Sequence, residues 1–140
     1  MEFGSNVTVV EPCNLYECKI GDSSFIGPFV EIQSKVVVGN HCRVQSHTFI
    51  CSNVTLGNYC FIGHGVTFTN DLFRKGSPSP EENDWLPTII ENNVSIGSGV
   101  TLLPVKIIEG CVIGAGSVVT KNLKIRGIYA GNPAKLIRKL

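Results

Sequence analysis

Charge is scarce in this chain. Of 140 residues only 16% are Asp, Glu, Lys or Arg, the formal net charge is +1, and hydrophobic residues reach 43%. Disorder is excluded, because it needs high charge and low hydrophobicity. Near-neutrality also argues against a general nucleic-acid binder. No run of 18 apolar residues occurs, so no segment reads as a transmembrane helix and no membrane partner is expected. A basic stretch followed by an apolar block, the mark of a signal peptide, is missing too. The six cysteines, at 13, 18, 42, 51, 60 and 111, form no CxxC pair and have no histidine cluster beside them. Zinc is therefore not expected. With no signal peptide a disulfide framework is not expected either, and the reading is reduced thiols in a cytoplasmic protein.

What the chain does have is glycine, 15 of them, and a six-residue rhythm. A ruler set at Ile20 meets Ile26, Ile32, Val38, Val44, Ile50, Leu56, Ile62 and Phe68, all large and apolar. Two residues earlier runs a small or β-branched phase: Cys18, Ser24, Val30, Val36, Cys42, Thr48, Val54, Cys60 and Val66. Glycine follows the aliphatic residue at 21, 27, 39, 57 and 63. That position suits a turn with positive φ or a close backbone approach. A period of six fits neither a helix nor a long strand. It fits a short strand plus a turn, with two inward side chains two residues apart. Three hexads then make one 18-residue triangular turn of a parallel β-solenoid.

The ruler stops at Asn70 and resumes at Ile90, Ile96 and Leu102, then continues through Ile107, Ile113, Val119 and Ile125. One residue is missing between Leu102 and Ile107, which predicts a tightened corner there. The hexads predict between five and six turns, a stack roughly 25 Å tall at the usual strand spacing. Cys18, Cys42, Cys60 and Cys111 fall in the small inward phase and read as core. Cys42 and Cys60, 18 apart, should stack on neighbouring turns, while Cys13 and Cys51 have no assignment. The division is 1–5 as a cloning scar (Met-Glu-Phe-Gly-Ser), 6–125 as the solenoid with an inserted loop at 70–88, and 126–140 as a C-terminal tail.

The insert, NDLFRKGSPSPEENDWLPT, holds three of the seven prolines and the only tryptophan. Long excursions from a regular scaffold carry function or are tolerated surface loops. Asn70, Asp71, Arg74 and Trp85 supply polar groups and an aromatic platform suited to a polar, ringed ligand. The last 20 residues hold six of the twelve basic residues and no acid, which suits a phosphate-binding end. A short helix is expected after Pro133.

These residues resemble the hexapeptide-repeat acyltransferases. The hexads carry the resemblance, together with IGAGSVVTK at 113–121 and GNPAKLI at 131–137. It implies an all-β fold, a left-handed parallel β-helix, with acetyl-CoA as co-substrate and a homotrimer with sites between subunits. Cofactor contacts are then expected from Gly97, Ser98, Gly99, Ala115, Ser117, Lys121, Pro133, Lys135 and Arg138. GVTFTND at 65–71 is similar to the sugar-nucleotide N-acetyltransferases. That likeness implies a nucleotide-linked amino sugar as acceptor, with Asn70 orienting the amine and Asp71, Phe73, Arg74 and Trp85 at the substrate. Many family members use a histidine base, and His64 and then His47 are the candidates. The alternatives are an O-acetyltransferase acting on a hydroxyl, a γ-carbonic-anhydrase-like metalloenzyme and a non-catalytic solenoid. Relatives that acetylate hydroxyls typically carry a histidine after the asparagine, and none lies between 65 and 140. The γ-carbonic-anhydrase site needs a second histidine where Thr69 stands. No activated Ser or Cys is evident, so direct transfer is expected.

Overall fold

The computed structural model describes residues 1–140 and shows a triangular parallel β-solenoid. The first coil is β1 (Glu2–Phe3), β2 (Thr8–Val9) and β3 (Asn14–Leu15). The second is β4 (Lys19–Ile20), β5 (Phe25–Ile26) and β6 (Glu31–Ile32), and the third is β7 (Val37–Val38), β8 (Arg43–Val44) and β9 (Phe49–Ile50). The fourth is β10 (Val54–Leu56), β11 (Phe61–Ile62) and β12 (Thr67–Phe68), which the insert separates from the fifth: β13 (Thr88–Ile90), β14 (Ser95–Ile96) and β15 (Thr101–Leu102). The sixth is β16 (Lys106–Ile107), β17 (Val112–Ile113) and β18 (Val118–Val119), followed by β19 (Gly127–Gly131) and β20 (Ala134–Lys139). Each third strand stacks on the one before, giving sheet A (β1-β4-β7-β10-β13-β16), sheet B (β2-β5-β8-β11-β14-β17-β19-β20) and sheet C (β3-β6-β9-β12-β15-β18). No helix is long and apolar enough to cross a membrane.

The aliphatic ruler is the core. From Ile20 to Phe68 and from Ile90 to Val119 every ruler residue is buried, as is every small inward residue from Cys18 to Val66. The insert leaves the register intact: Leu56 pairs with Ile90 and Phe68 with Leu102. The shortened corner between Leu102 and Ile107 is present, and the same five-residue step joins Leu15 to Ile20.

Three expectations change. The stack has six complete coils and part of a seventh, because Phe3, Val9 and Leu15 form an opening coil. The six-step ruler misses that coil owing to the short step before Ile20, and Val9 and Leu15 are only half-buried with nothing stacked below. Ile125 does not continue the core: it is 47% exposed, whereas Leu123 is 5% exposed and bridges to Ile107. The C-terminal segment is no helix. Ala134–Lys139 is a strand, antiparallel to β19, with Leu136 opposite Tyr129. The open edge of β19 supplies backbone partners to every residue it pairs, and a helix would leave that edge bare.

The glycines after the ruler residues serve close approach. Their φ values are ordinary, but a Cβ on Gly21 would lie 2.5 Å from the Gly39 carbonyl carbon. Positive φ falls two residues later, mostly on non-glycine residues such as Ser23, His41 and Tyr59. The corners between sheets A and B add a ladder. The side-chain oxygens of Asp22, Asn40, Asn58 and Asn92 accept the backbone N–H of Ser5, Asp22, Asn40 and Asn58, at 2.7–2.9 Å. Inside, small polar residues donate to corner carbonyls of the next coil: Ser24 to Gly39 (2.8 Å), Cys42 to Gly57 (3.0 Å) and Thr48 to Gly63 (2.8 Å). That is why Ser, Cys and Thr occupy an otherwise apolar phase, since a buried carbonyl without a donor is costly.

All six thiols are free, and all but Cys13 are buried. Burial pushes the Cys51 thiol up to about 12. Native protein at pH 8 should therefore react with a thiol reagent at Cys13 alone, and denatured protein at all six. The Cys51 thiol sits above its ordinary value of 9.0. The stability it carries is complete below pH 9 and is lost as pH rises toward the folded value, so urea midpoints should fall from about pH 9 upward. Leu123→Ala should cost roughly 2–4 kcal/mol in urea unfolding. Ile125→Ala should cost under about 1 kcal/mol, and the reverse order would refute the corrected core.

Candidate active site

The three edges of the prism carry different chemistry. Edge A–B is sealed by its Asn/Asp ladder. Edge B–C lies between β11 and β12 and between their equivalents in the other coils. At the second corner residue from the third coil to the sixth it carries Ser46, His64, Ser98 and Ala115, where edge A–B carries Asn40, Asn58, Asn92 and Glu109. No side chain caps the N–H groups of Ser98 and Ala115. A Cβ added at Gly65, Gly99 or Gly116 would meet nothing within 4 Å. Three successive coils thus present bare backbone along one open edge.

Both histidine candidates lie on this edge, exposed. The His47 ring stacks on Phe29 at 4.9 Å. His64 Nδ1 is 2.9 Å from Ser46 Oγ, one coil below. If Nδ1–H donates to the hydroxyl, Nε2 keeps its lone pair and faces outward as a base. Ser46 carries no mark in a linear reading. Its 18-residue distance from His64 was the signal that could have found it.

Edge C–A is where the insert leaves. Asn70 is half-buried, and its Nδ2 donates to the Ser52 carbonyl at 3.2 Å. Its own carbonyl accepts the Leu86 N–H at 2.8 Å, which closes the base of the insert. Asp71 fastens the loop: its carboxylate accepts the N–H groups of Phe73 (3.0 Å) and Ser79 (2.6 Å). Ser79 Oγ in turn donates to Asp84 at 2.7 Å. The Lys35–Glu82 pair at 3.9 Å is exposed at both ends and contributes little. Inside the loop lies a cavity of about 500 Å³, lined by Asp71, Arg74, Lys75, Asn83 and Asp84 among others. Phe73 and Arg74 are exposed and Trp85 is half-buried at the end of a short 3-10 turn, Glu82–Asp84.

Within one protomer His64 and Asn70 do not meet. They stand at opposite ends of β12, separated by about 15–20 Å of extended chain. Of the residues expected at the cofactor, Gly97, Ser98, Gly99 and Ala115 lie together on edge B–C. Lys121, Pro133, Lys135 and Arg138 are exposed at the C-terminal end. Ser117 is a correction. It is 1% exposed, and its Oγ donates to the Gly114 carbonyl (2.7 Å) and accepts the Gly131 N–H (3.1 Å). It anchors the terminal hairpin instead of facing a ligand, because the ruler places it in the inward phase. Nowhere do three His, Cys, Asp or Glu side chains stand close enough to hold a metal ion.

With the geometry in hand, likeness to known proteins can be placed on it. The bacterial transferase hexapeptide (six repeats) family matches residues 17–52, and the hexapeptide repeat of succinyl-transferase matches residues 87–121. A Schizosaccharomyces pombe protein named as an acetyltransferase is 46% identical over 91 residues, covering 62% of this chain and 44% of that protein. A Lysinibacillus sphaericus protein named as a macrolide acetyltransferase is 34% identical over 119 residues, covering 69% of this chain and 66% of that protein. The chain thus spans from under half to about two thirds of these relatives. Among solved structures, AntD, an N-acyltransferase from Bacillus cereus in complex with dTDP-4-amino-4,6-dideoxyglucose and coenzyme A, superimposes with a TM-score of 0.87 at 22% identity. The match covers 99% of this chain and 83% of AntD.

The loop clasp has a direct test. Asp71→Ala should speed amide hydrogen exchange at Phe73 and Ser79 while leaving strand amides such as Ile62 protected. Global stability should fall by about 1 kcal/mol or less, since the lost bonds are local to the insert. Unchanged exchange in the insert would show that Asp71 does not hold it.

Proposed function

The chain is a hexapeptide-repeat protein of the bacterial transferase type, and on that premise we propose that it is an acetyltransferase. In this reading it moves an acetyl group from acetyl-CoA to the amine of a nucleotide-linked amino-deoxy sugar, dTDP- or UDP-linked. The observation that carries the reading is the setting of Asn70. Its amide N–H is committed to the Ser52 carbonyl, so Oδ1 is left as an acceptor at the mouth of a polar insert. An amine N–H is the complementary donor.

The neutral amine attacks the thioester carbonyl of acetyl-CoA. The new N–C bond forms, the C–S bond breaks, and the amine proton ends on the leaving sulfur, directly or through His64. No acyl-enzyme is needed. The free N–H groups of Ser98 and Ala115 suit the carbonyl oxygens of an extended thiol cofactor and the oxyanion that develops on attack. The basic end, with Lys121, Lys135 and Arg138 exposed, suits the cofactor's phosphates. The insert, with Phe73, Arg74 and Trp85, suits a nucleotide sugar, the kind of ligand that AntD binds on the same fold.

His64 and Asn70 lie on different edges, so a homotrimer completes the site by setting one subunit's insert against the next subunit's glycine edge. A cytoplasmic setting suits six free thiols and a CoA co-substrate.

The O-acetyltransferase reading is favoured by one observation, the Ser46–His64 pair, which suits deprotonation of a hydroxyl. The likeness to a macrolide acetyltransferase points the same way. A thiol-release assay against amino-sugar nucleotides and matching hydroxyl acceptors separates the two. Amine acceptors should turn over, and Asn70→Ala should lower kcat/KM by about tenfold or more, as expected for lost orientation. Turnover with hydroxyl acceptors alone would sink the amine reading, and undiminished turnover in Asn70→Ala would sink the role of Asn70.

A further inference from the structure

We propose that Gln33 and Glu31 are positioning residues that set the orientation of the Asn70 carboxamide, an inference that rests on the function proposed above. A carboxamide has two unlike ends, and only its oxygen can accept from a substrate amine. Which end faces outward is decided by what holds the other.

Asn70 Nδ2 donates to the Ser52 carbonyl at 3.2 Å. At other corners the equivalent carbonyl accepts a backbone N–H from the next coil, as Asp22 does from His41, Asn40 from Tyr59 and Ser46 from Gly65. At Ser52 the insert diverts the chain, and the Asn70 side chain takes the place of that N–H. The Ser52 peptide is itself held from below. Its N–H donates to Gln33 Oε1 at 3.3 Å, and Gln33 Nε2 donates to Glu31 Oε2 at 3.1 Å. Glu31 Oε1 also accepts Asn14 Nδ2 at 3.3 Å, and Ser34 Oγ lies 3.3 Å from Ser52 Oγ.

The chain of bonds has one polarity. An ionised Glu31 only accepts, so Gln33 must turn its NH₂ toward it and its oxygen toward Ser52. The Ser52 N–H is tethered to the coil below, and the Ser52 carbonyl, in the following peptide, accepts from the coil above. That carbonyl only accepts, so Asn70 must present its NH₂ and leave Oδ1 free. Ser52 is buried and Glu31, Gln33 and Asn70 are half-buried, so water competes poorly for these positions. The Ser52 carbonyl thus sets the sense of the carboxamide, and the Glu31–Gln33 tether acts through it, holding the Ser52 backbone where that carbonyl meets Asn70, without touching a ligand.

Gln33→Met keeps the side-chain volume and deletes both hydrogen bonds. In ¹H–¹⁵N spectra the Asn70 side-chain amide resonances should shift and exchange faster. The kcat with an amine acceptor should fall about tenfold with KM for acetyl-CoA unchanged, the pattern of lost orientation. In an Asn70→Ala background the same substitution should cost less than about twofold, because coupled groups are not additive. Glu31→Gln retains an acceptor and should keep turnover within about twofold of the parent, while Glu31→Ala should follow Gln33→Met. Unmoved Asn70 amide resonances in Gln33→Met, or an equal loss in both backgrounds, would overturn the inference. Undiminished turnover in Asn70→Ala alone would instead sink the proposed role of Asn70, and the amide spectra would then decide by themselves whether Gln33 orients it.

Discussion

One coil rests on the next at the spacing of paired strands, about 4.8 Å, and this contact governs the rest of the molecule. At several corners it leaves no room for a Cβ on the first residue, as at Gly21, Gly27, Gly39 and Gly57. It makes residues 18 apart into neighbours, so that Ser46 meets His64 and Ser52 meets Asn70. It also turns each corner carbonyl into something the adjacent coil must satisfy. Ser24, Cys42 and Thr48 do so from inside. The scarcity of charge is a consequence: two of every six side chains point into a prism with no room for an ion.

The same repeat makes three edges that are alike in backbone and unlike in chemistry. Edge A–B spends corner N–H groups on the Asn/Asp ladder. Edge B–C has Ser, His or Ala at the equivalent position and leaves backbone groups open. Edge C–A is cut by an insert that changes neither the pairing of Leu56 with Ile90 nor that of Phe68 with Leu102. A rigid stack can therefore host a long polar loop without loss of register, and the loop's own bonds through Asp71 and Ser79 shape it. The groups proposed for substrate and for cofactor fall on separate edges, which is why the proposed chemistry spans two subunits.

Much of the candidate site was legible in linear form because the solenoid is nearly one-dimensional. The broken ruler marked the insert, and the GVTFTND element singled out Asn70. What the linear reading lost were relations between coils. Gln33 and Ser46 look like ordinary turn residues until their partners one coil above are seen. Ser117, expected at the cofactor from the resemblance, lies in the inward phase of the ruler and is buried. Pro133 and the following KLIRK suggested a helix. Six residues have no strong preference of their own, and the unpaired edge of β19 selected the strand.

Sequence alone determined the period, the core residues from Ile20 to Val119, the five-residue step at Leu102 and the site of the insert, since each follows from which side chains can enter a prism of fixed width. Only tertiary structure decided the opening coil at Phe3–Leu15, the exchange of Ile125 for Leu123, the C-terminal hairpin and the polarity of the bonds that run from Glu31 to Asn70. Those depend on the direction of hydrogen bonds and on edges left open by neighbours, and periodicity carries no record of either.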